Sequence, residues 1–283
     1  MGFLLGLLAL IAALLALLYL FLILPRLAGG ADLQYIRAHY AHRGLWDTAS
    51  PENSLAAFAK AVRAGVGIEL DIQLSRDGQV MVFHDDTLAR MCGVRRHLGD
   101  LTCAELQALS LKGTSQTVPT LAEVLALVRG RVPLMIECKG EIPNPALCLA
   151  AAQLLDTYAG PFSVISFNPL ILRWFKRYRP GFARGQLVTK TKKGKGAGRR
   201  AVSFLLSHML LNGFSRPDFL SVNEKIYRRP VFFLCRRLLG VSGFVWTVRT
   251  SHGYRQARKR GWYSVFEEIR PRSTLSQKRS RKI

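Results

Sequence analysis

Beyond position 39 the chain alternates brief apolar runs with longer stretches of helical periodicity. Nine runs read as strands, at positions 40–42, 67–74, 80–84, 132–137, 162–167, 182–188, 218–223, 243–248 and 262–266. Several are rich in Val, Ile and Phe and too short for helices, as strands buried on both faces require. Between them lie helix candidates at 54–64, 121–129, 145–158 and 170–178. This alternation predicts parallel strands joined by crossover helices. Nine runs fit an eight-stranded α/β barrel with one extra hairpin strand, and a doubly wound open sheet is the alternative. Asp77-Gly78, between the second and third runs, predicts the hairpin turn. The crossover from His84 to Pro119 is long and holds its own helix-like piece at 102–108, which predicts a small insertion over one end of the barrel. No segment repeats at a fixed period, which argues against a solenoid.

The first 24 residues carry no ionisable side chain. At about 1.5 Å per residue they make roughly 36 Å of helix, enough to span a bilayer. A cleaved signal peptide is the competing reading, but such peptides have a basic lead and a shorter apolar core, and no Lys or Arg precedes this run. Arg26, Arg37 and Arg43 follow it, so the positive-inside bias places the main domain in the cytoplasm. The predicted plan is a transmembrane anchor at 1–25, a connector at 26–38, the barrel domain at 39–272 and a basic tail at 273–283.

Charge adds a partner. The 41 Lys and Arg against 18 Asp and Glu leave a net +23, and such an excess meets an anion or stays in solvent. Lys190, Lys192, Lys193, Lys195, Arg199 and Arg200 cluster in a Gly-containing stretch that reads as a mobile loop, and further basic runs lie at 255–260 and 278–282. Beside an anchor these serve contact with an anionic membrane surface, each worth about 1 kcal/mol there. Aromatic residues are not interleaved with the clusters as a stacking platform needs, which argues against nucleic acid. Cys92, Cys103, Cys138, Cys148 and Cys235 are odd in number and lack CxxC spacing, so they read as buried thiols rather than zinc ligands or a disulfide scaffold.

The residues that carry chemistry gather at strand ends. Alternate residues of a strand share a face, so Glu69 and Asp71 present two carboxylates side by side, which call for a cation. Oxygen ligation suits a hard ion such as Mg²⁺ or Ca²⁺. Glu137 ends another strand, and Lys139 shares its face. His42 closes the first strand and His84 the hairpin strand, so both imidazoles reach the carboxylate-rich mouth where barrel enzymes place reacting groups. Glu52-Asn53-Ser54 reads as a helix cap.

In order along the chain stand HRG (His42 to Gly44), PEN (Pro51 to Asn53), ELD with DG and HD between Glu69 and Asp85, PTLAEVL from Pro119, ECK (Glu137 to Lys139) and FVWTVR ending at Arg249. This series, covering about 40–271, resembles the glycerophosphodiester phosphodiesterases, which share a TIM-barrel fold with phosphatidylinositol-specific phospholipases C. The resemblance implies that His42 and His84 are the general acid and base and that Glu69, Asp71 and Glu137 hold one divalent cation. It also implies that Arg43 and Lys139 contact the phosphate and that Trp246 lines the pocket against glycerol. The family's TVN is here Thr247-Val248-Arg249, and its GxDGIxTDxP-like end is replaced by residues 261–271. Both departures are expected to spare the metal and histidine positions and to bear on the alcohol end of the pocket. The implied substrate is a glycerophosphodiester. The alternatives are a lysophospholipid or other membrane phosphodiester, and a non-catalytic lipid-binding barrel.

Overall fold

A computed structural model describes residues 2–26, 33–140, 144–190 and 197–269. The chain opens with helix α1 (Gly2–Ile23). Strand β1 (Tyr40–His42) leads to α2 (Leu55–Ala64), β2 (Gly67–Leu74) and β3 (Val80–Val82). The insertion carries the short helices α3 (Ala89–Cys92) and α4 (Cys103–Gln107) and ends at α5 (Leu121–Val128). There follow β4 (Leu134–Cys138), α6 (Pro145–Asp156), β5 (Phe162–Ser166), α7 (Pro169–Tyr178) and β6 (Arg184–Val188). The chain continues through α8 (Ala197–Ser207), α9 (Asn212–Ser215), β7 (Phe219–Asn223), α10 (Pro230–Arg237), β8 (Ser242–Val248), α11 (Ser251–Lys259) and β9 (Tyr263–Phe266).

The sheet order β1-β9-β8-β7-β6-β5-β4-β2-β3, with β1 also paired to β2, closes eight parallel strands into a barrel. Among the described strands only β3 is antiparallel, hung on β2 by the hairpin at Asp77-Gly78. The open-sheet alternative is thereby excluded. All nine predicted runs are strands: the eight of the barrel bury one face in its interior and the other under helices, and β3 buries Val80 and Val82 in the main core and Met81 against the insertion. Ile68, Leu70 and Ile72 of β2 join the layer beneath the helices, while Tyr40, Met135, Ile165, Phe219, Phe244 and Val265 fill the interior. Gly185 is dictated by that filling, since a Cβ there would stand 2.2 Å from the Phe219 ring.

Local signals set the helices. Ser54 accepts from the Ala57 amide at the head of α2, and Gly65 closes it at φ +64°. Thr120 and Glu123 form a capping box on α5. The basic cluster read as a mobile loop is part helix, since Arg199 and Arg200 lie in α8. Lys192, Lys193 and Lys195 and the basic tail lie outside the described residues. The run at 255–260 is the end of α11. Helix α1 is long and apolar enough to cross a membrane, with 6% of its most apolar window buried. All five cysteines are free.

Candidate active site

Register builds the site. In the parallel ladders His42 stands opposite Glu69, and Asp71 opposite Glu137. Every second residue of β2 faces the interior, so Glu69 and Asp71 enter it one above the other at the carboxyl end of the barrel. One oxygen from each of Glu69, Asp71 and Glu137 lies within 4.8 Å of the others, and all three residues are buried. The hairpin runs β3 back along β2, and the Phe83 amide donates to the Asp71 carbonyl at 2.9 Å. His84 therefore returns to the level of the triad. It lies within electrostatic reach of Asp71, Lys139 and Arg43.

Cations are woven among the acids. Lys139 Nζ donates to Glu137 Oε1 at 2.9 Å and pairs with Asp71 Oδ1 at 3.2 Å. The Arg43 amide donates to Glu69 Oε2 at 3.1 Å, and its Nε pairs with Asp71 Oδ2 at 3.4 Å. Arg43 holds φ +58°, and Gly44 after it φ +87°. This left-handed turn brings amide and guanidinium to the same triad. A Cβ on Gly44 would press the Ala57 Cβ at 2.9 Å, so the turn packs directly on α2.

Electrostatics divide the carboxylates. Burial, reinforced by the charges of Asp71 and Glu137, pushes Glu69 well above its ordinary value. Burial pushes Glu137 up to about 7 even with Lys139 beside it. Burial opposes the charge of Asp71 too, yet Lys139 and Arg43 hold that carboxyl below the usual range. Burial also opposes the Lys139 ammonium, which Asp71 and Glu137 nonetheless hold firmly charged. Three carboxylates share two cationic partners, so a further positive charge is what would let all of them ionise. Asp71 Oδ1 is buried with only the Lys139 ammonium beside it, in an ion pair that lacks good hydrogen-bond geometry, and this all-oxygen donor set fits a hard metal ion.

Both imidazoles are oriented by acids. His84 Nδ1 meets Asp85 Oδ1 at 2.6 Å, and His42 Nδ1 meets Glu267 Oε1. Each ring thus keeps Nε2 for the mouth, and His42 Nε2 lies 3.9 Å from Glu69 Oε2. Burial lowers His84 from its ordinary value. Trp246 lies partly buried at the carboxyl end of β8, edge-on to Phe167 with ring centres 5.5 Å apart, and its Nε1 donates to the Ser221 carbonyl at 3.0 Å. The indole is fixed as a wall rather than offered as a donor.

The structure brings His42, His84, Arg43, Lys139, Glu69, Asp71 and Glu137 together. It adds residues the sequence reading missed. Glu52, read as part of a cap, accepts from Arg43 Nη1 at 2.7 Å, and Asn53 donates to Asp71 Oδ2 at 3.0 Å. Arg90 of the insertion donates to Glu52 Oε2 at 2.9 Å and to Asp85 Oδ2 at 2.6 Å. The altered motifs do not spare the histidines as expected. Glu267 meets His42, and Arg249 Nε pairs with Glu267 Oε2 at 2.7 Å. Strand parity carried one step past Val265 is the signal that finds Glu267.

Such a mouth, with acids for a hard ion and cations for an anionic group, is the equipment of a phosphate-ester site on a barrel scaffold. The glycerophosphoryl diester phosphodiesterase family model matches residues 42–267. The chain belongs to that family. A glycerophosphodiester phosphodiesterase of Caldanaerobacter subterraneus is 35% identical over 159 residues, 52% of this chain and 65% of the relative. A human lysophospholipase D is 30% identical over 138 residues, 44% of this chain and 43% of the relative. The aligned part thus spans less than two thirds of these relatives' lengths. The glycerophosphodiester phosphodiesterase structure from Thermotoga maritima has a TM-score of 0.62 at 27% identity, covering 85% of this chain and 97% of that one. A phosphodiesterase from Oleispira antarctica, solved with the product sn-glycerol-3-phosphate, shares the fold at a TM-score of 0.67 and 24% identity, covering 86% and 96%.

Proposed function

We propose that this protein hydrolyses glycerophosphodiesters to an alcohol and glycerol phosphate. The observation that carries the reading is the meeting, at one barrel mouth, of the acidic triad with two imidazoles that are each held by a carboxylate. Glu69, Asp71 and Glu137 hold one divalent cation, Mg²⁺ or Ca²⁺, which when bound supplies positive charge to the phosphate. Arg43 and Lys139 bind the phosphate oxygens and draw the negative charge that builds as the diester is attacked. One imidazole takes the proton of the attacker, water or a neighbouring glycerol hydroxyl, and the other protonates the departing alkoxide. The carboxylates on Nδ1 fix both rings with Nε2 toward the substrate. Trp246 and Phe167 flank the alcohol. Domain organisation follows the same reading: α1 is a retained anchor, 26–38 a connector, 39–272 the catalytic domain on the cytoplasmic side and 273–283 a basic tail near anionic lipid.

Removing either histidine tests the mechanism. His42→Ala and His84→Ala should each lower turnover of glycerophosphocholine by roughly 10²–10⁴-fold, and near-normal rates would refute it. Activity untouched by a chelator would remove the cation.

A second reading, hydrolysis of lysophospholipids, is favoured by the apolar helix and by the identity with the human lysophospholipase D. Rates on glycerophosphocholine and lysophosphatidylcholine, compared in one detergent, separate the two. No hydrolysis on either, or on a wider diester panel with Mg²⁺, Ca²⁺ and Mn²⁺, would leave a lipid-binding barrel.

A further inference from the structure

Charge is distributed unevenly round the barrel. Positions 40–168 hold eleven basic residues against thirteen acidic, whereas positions 169–240 hold seventeen against two. Three of those cations, Lys192, Lys193 and Lys195, lie outside the described residues; the described part of the stretch folds into β6, β7 and the helices α7 to α10, consecutive in the barrel wall. Of its two acids, Asp218 is buried and engaged by Arg26 and Arg184, leaving Glu224.

The foot of α1 stands on this same side. The Arg26 amide donates to the Pro217 carbonyl at 3.0 Å and its guanidinium to the Pro180 carbonyl at 3.0 Å. Asn212 Nδ2 donates to the Ile23 carbonyl at 3.3 Å and Arg216 Nη1 to the Leu24 carbonyl at 3.2 Å. The Arg216 guanidinium also lies 4.8 Å over the Phe21 ring. A Cβ on Gly213 would come within 3.1 Å of the Phe21 carbonyl, so a glycine lets α9 close on the helix end. Pro180 and Pro217 precede β6 and β7, at the barrel end opposite the triad. The helix is therefore clamped through its last turn, while the residues before it stand clear of the barrel. An apolar helix leaving a domain this way sets the bilayer surface within about one turn of the clamp.

Around the clamp, apolar side chains stay in the open. Phe204 of α8, Phe214 of α9 and Phe233 of α10 are exposed, Phe233 at 66%. Exposed cations are interleaved with them: Arg173, Lys176 and Arg177 on α7, Arg200 on α8 and Arg237 on α10. Lys176 Nζ donates to the Phe214 carbonyl at 3.2 Å and Arg173 lies 6.0 Å over the Phe214 ring, so the two kinds of side chain meet at α9, beside the clamp. Aromatic rings that enter the acyl boundary beside cations that meet headgroup phosphates are the equipment of an interfacial surface.

We propose that the α7–α10 flank lies on an anionic bilayer that α1 crosses, holding the barrel by its side and its amino-terminal rim. The mouth then stays open to water, and substrate arrives from the aqueous phase rather than from the leaflet beneath. The proposal rests on the reading of α1 as a retained anchor and is independent of whether hydrolysis occurs.

The full chain, reconstituted in phosphatidylcholine vesicles with and without phosphatidylglycerol, tests it with bromine-labelled acyl chains as quencher. Phe233→Trp places a reporter on the flank, and Ala126→Trp one on α5, across the barrel. All forms should float with the vesicles. The added emission of Phe233→Trp should be quenched at least twofold, more with phosphatidylglycerol, and that of Ala126→Trp should not. Combining Arg173→Glu, Arg177→Glu and Arg237→Glu with the reporter should abolish the difference while leaving glycerophosphocholine turnover unchanged. Floating protein with an unquenched Phe233→Trp, or equal quenching at both reporters, overturns the docking and spares the anchor. Protein that fails to float overturns the anchor reading and the docking with it.

Discussion

Arg90 ties the insertion to both halves of the site, and its loss gives a graded test. Its guanidinium donates to Asp85 at 2.6 and 3.0 Å and to Glu52 at 2.9 and 2.7 Å. Asp85 in turn orients His84, and Glu52 orients Arg43. Charge-assisted bonds of this kind are worth about 1.5–3 kcal/mol each when buried. The Arg90 side chain is 42% exposed, so solvent screening brings the four together to roughly 1–3 kcal/mol. Arg90→Gln therefore leaves two carboxylates free to turn and should lower kcat/KM by about ten- to a hundredfold. Most of that loss should fall on kcat, since imidazole and guanidinium are misaimed rather than removed. Arg90→Lys, which keeps the charge but not the fork, should recover only part. Steady-state rates on glycerophosphocholine, with thermal melts to confirm folding, make the assay. Wild-type kcat in a folded Arg90→Gln would refute the idea that the insertion positions the site.

Other expectations follow from the same geometry. Glu137, near 7 when folded against an ordinary 4.5, keeps a proton that the unfolded chain has released, so its contribution is full below about pH 4.5 and is lost as pH rises to about 7. Melts of cation-free protein should show stability falling across that window by on the order of 1–3 kcal/mol, and added Mg²⁺ or Ca²⁺ should restore most at the alkaline end; a flat profile contradicts this charge balance. Glu267→Gln should cut kcat about ten- to a hundredfold with little change in KM, because it frees the His42 ring, and an unchanged kcat would show that the ring needs no such support. Trp246→Ala should raise KM several-fold with kcat nearly kept, and a pure kcat loss would place the indole elsewhere in the reaction.

Much of this was legible in the sequence, for physical reasons that differ by element. Parallel strands buried on both faces leave short apolar runs, so the eight barrel strands could be located, and the turn at Asp77-Gly78 marked the antiparallel β3. Two-residue periodicity then put Glu69 with Asp71 and Glu137 with Lys139 on shared faces. What could not be read depends on contacts between distant segments. Arg90 sits in an insertion whose sequence gives no hint that it folds back over Glu52. Asn53 looks like a cap residue, and only the approach of β2 turns its amide toward Asp71. Glu267 lies where the family motif is altered, which drew attention to the missing pattern rather than to the carboxylate that meets His42. The clamp on α1 joins residues nearly two hundred positions apart, as Arg26 and Asp218 show.

The proposed mechanism requires Glu69, Asp71 and Glu137 to grip one cation within reach of both imidazoles. Crystals grown with Mn²⁺ and measured near its absorption edge locate that ion directly. One anomalous peak bounded by Glu69, Asp71 and Glu137, lost in Asp71→Asn, is the expected result. A peak held by other residues, or one that survives that substitution unmoved, would contradict it.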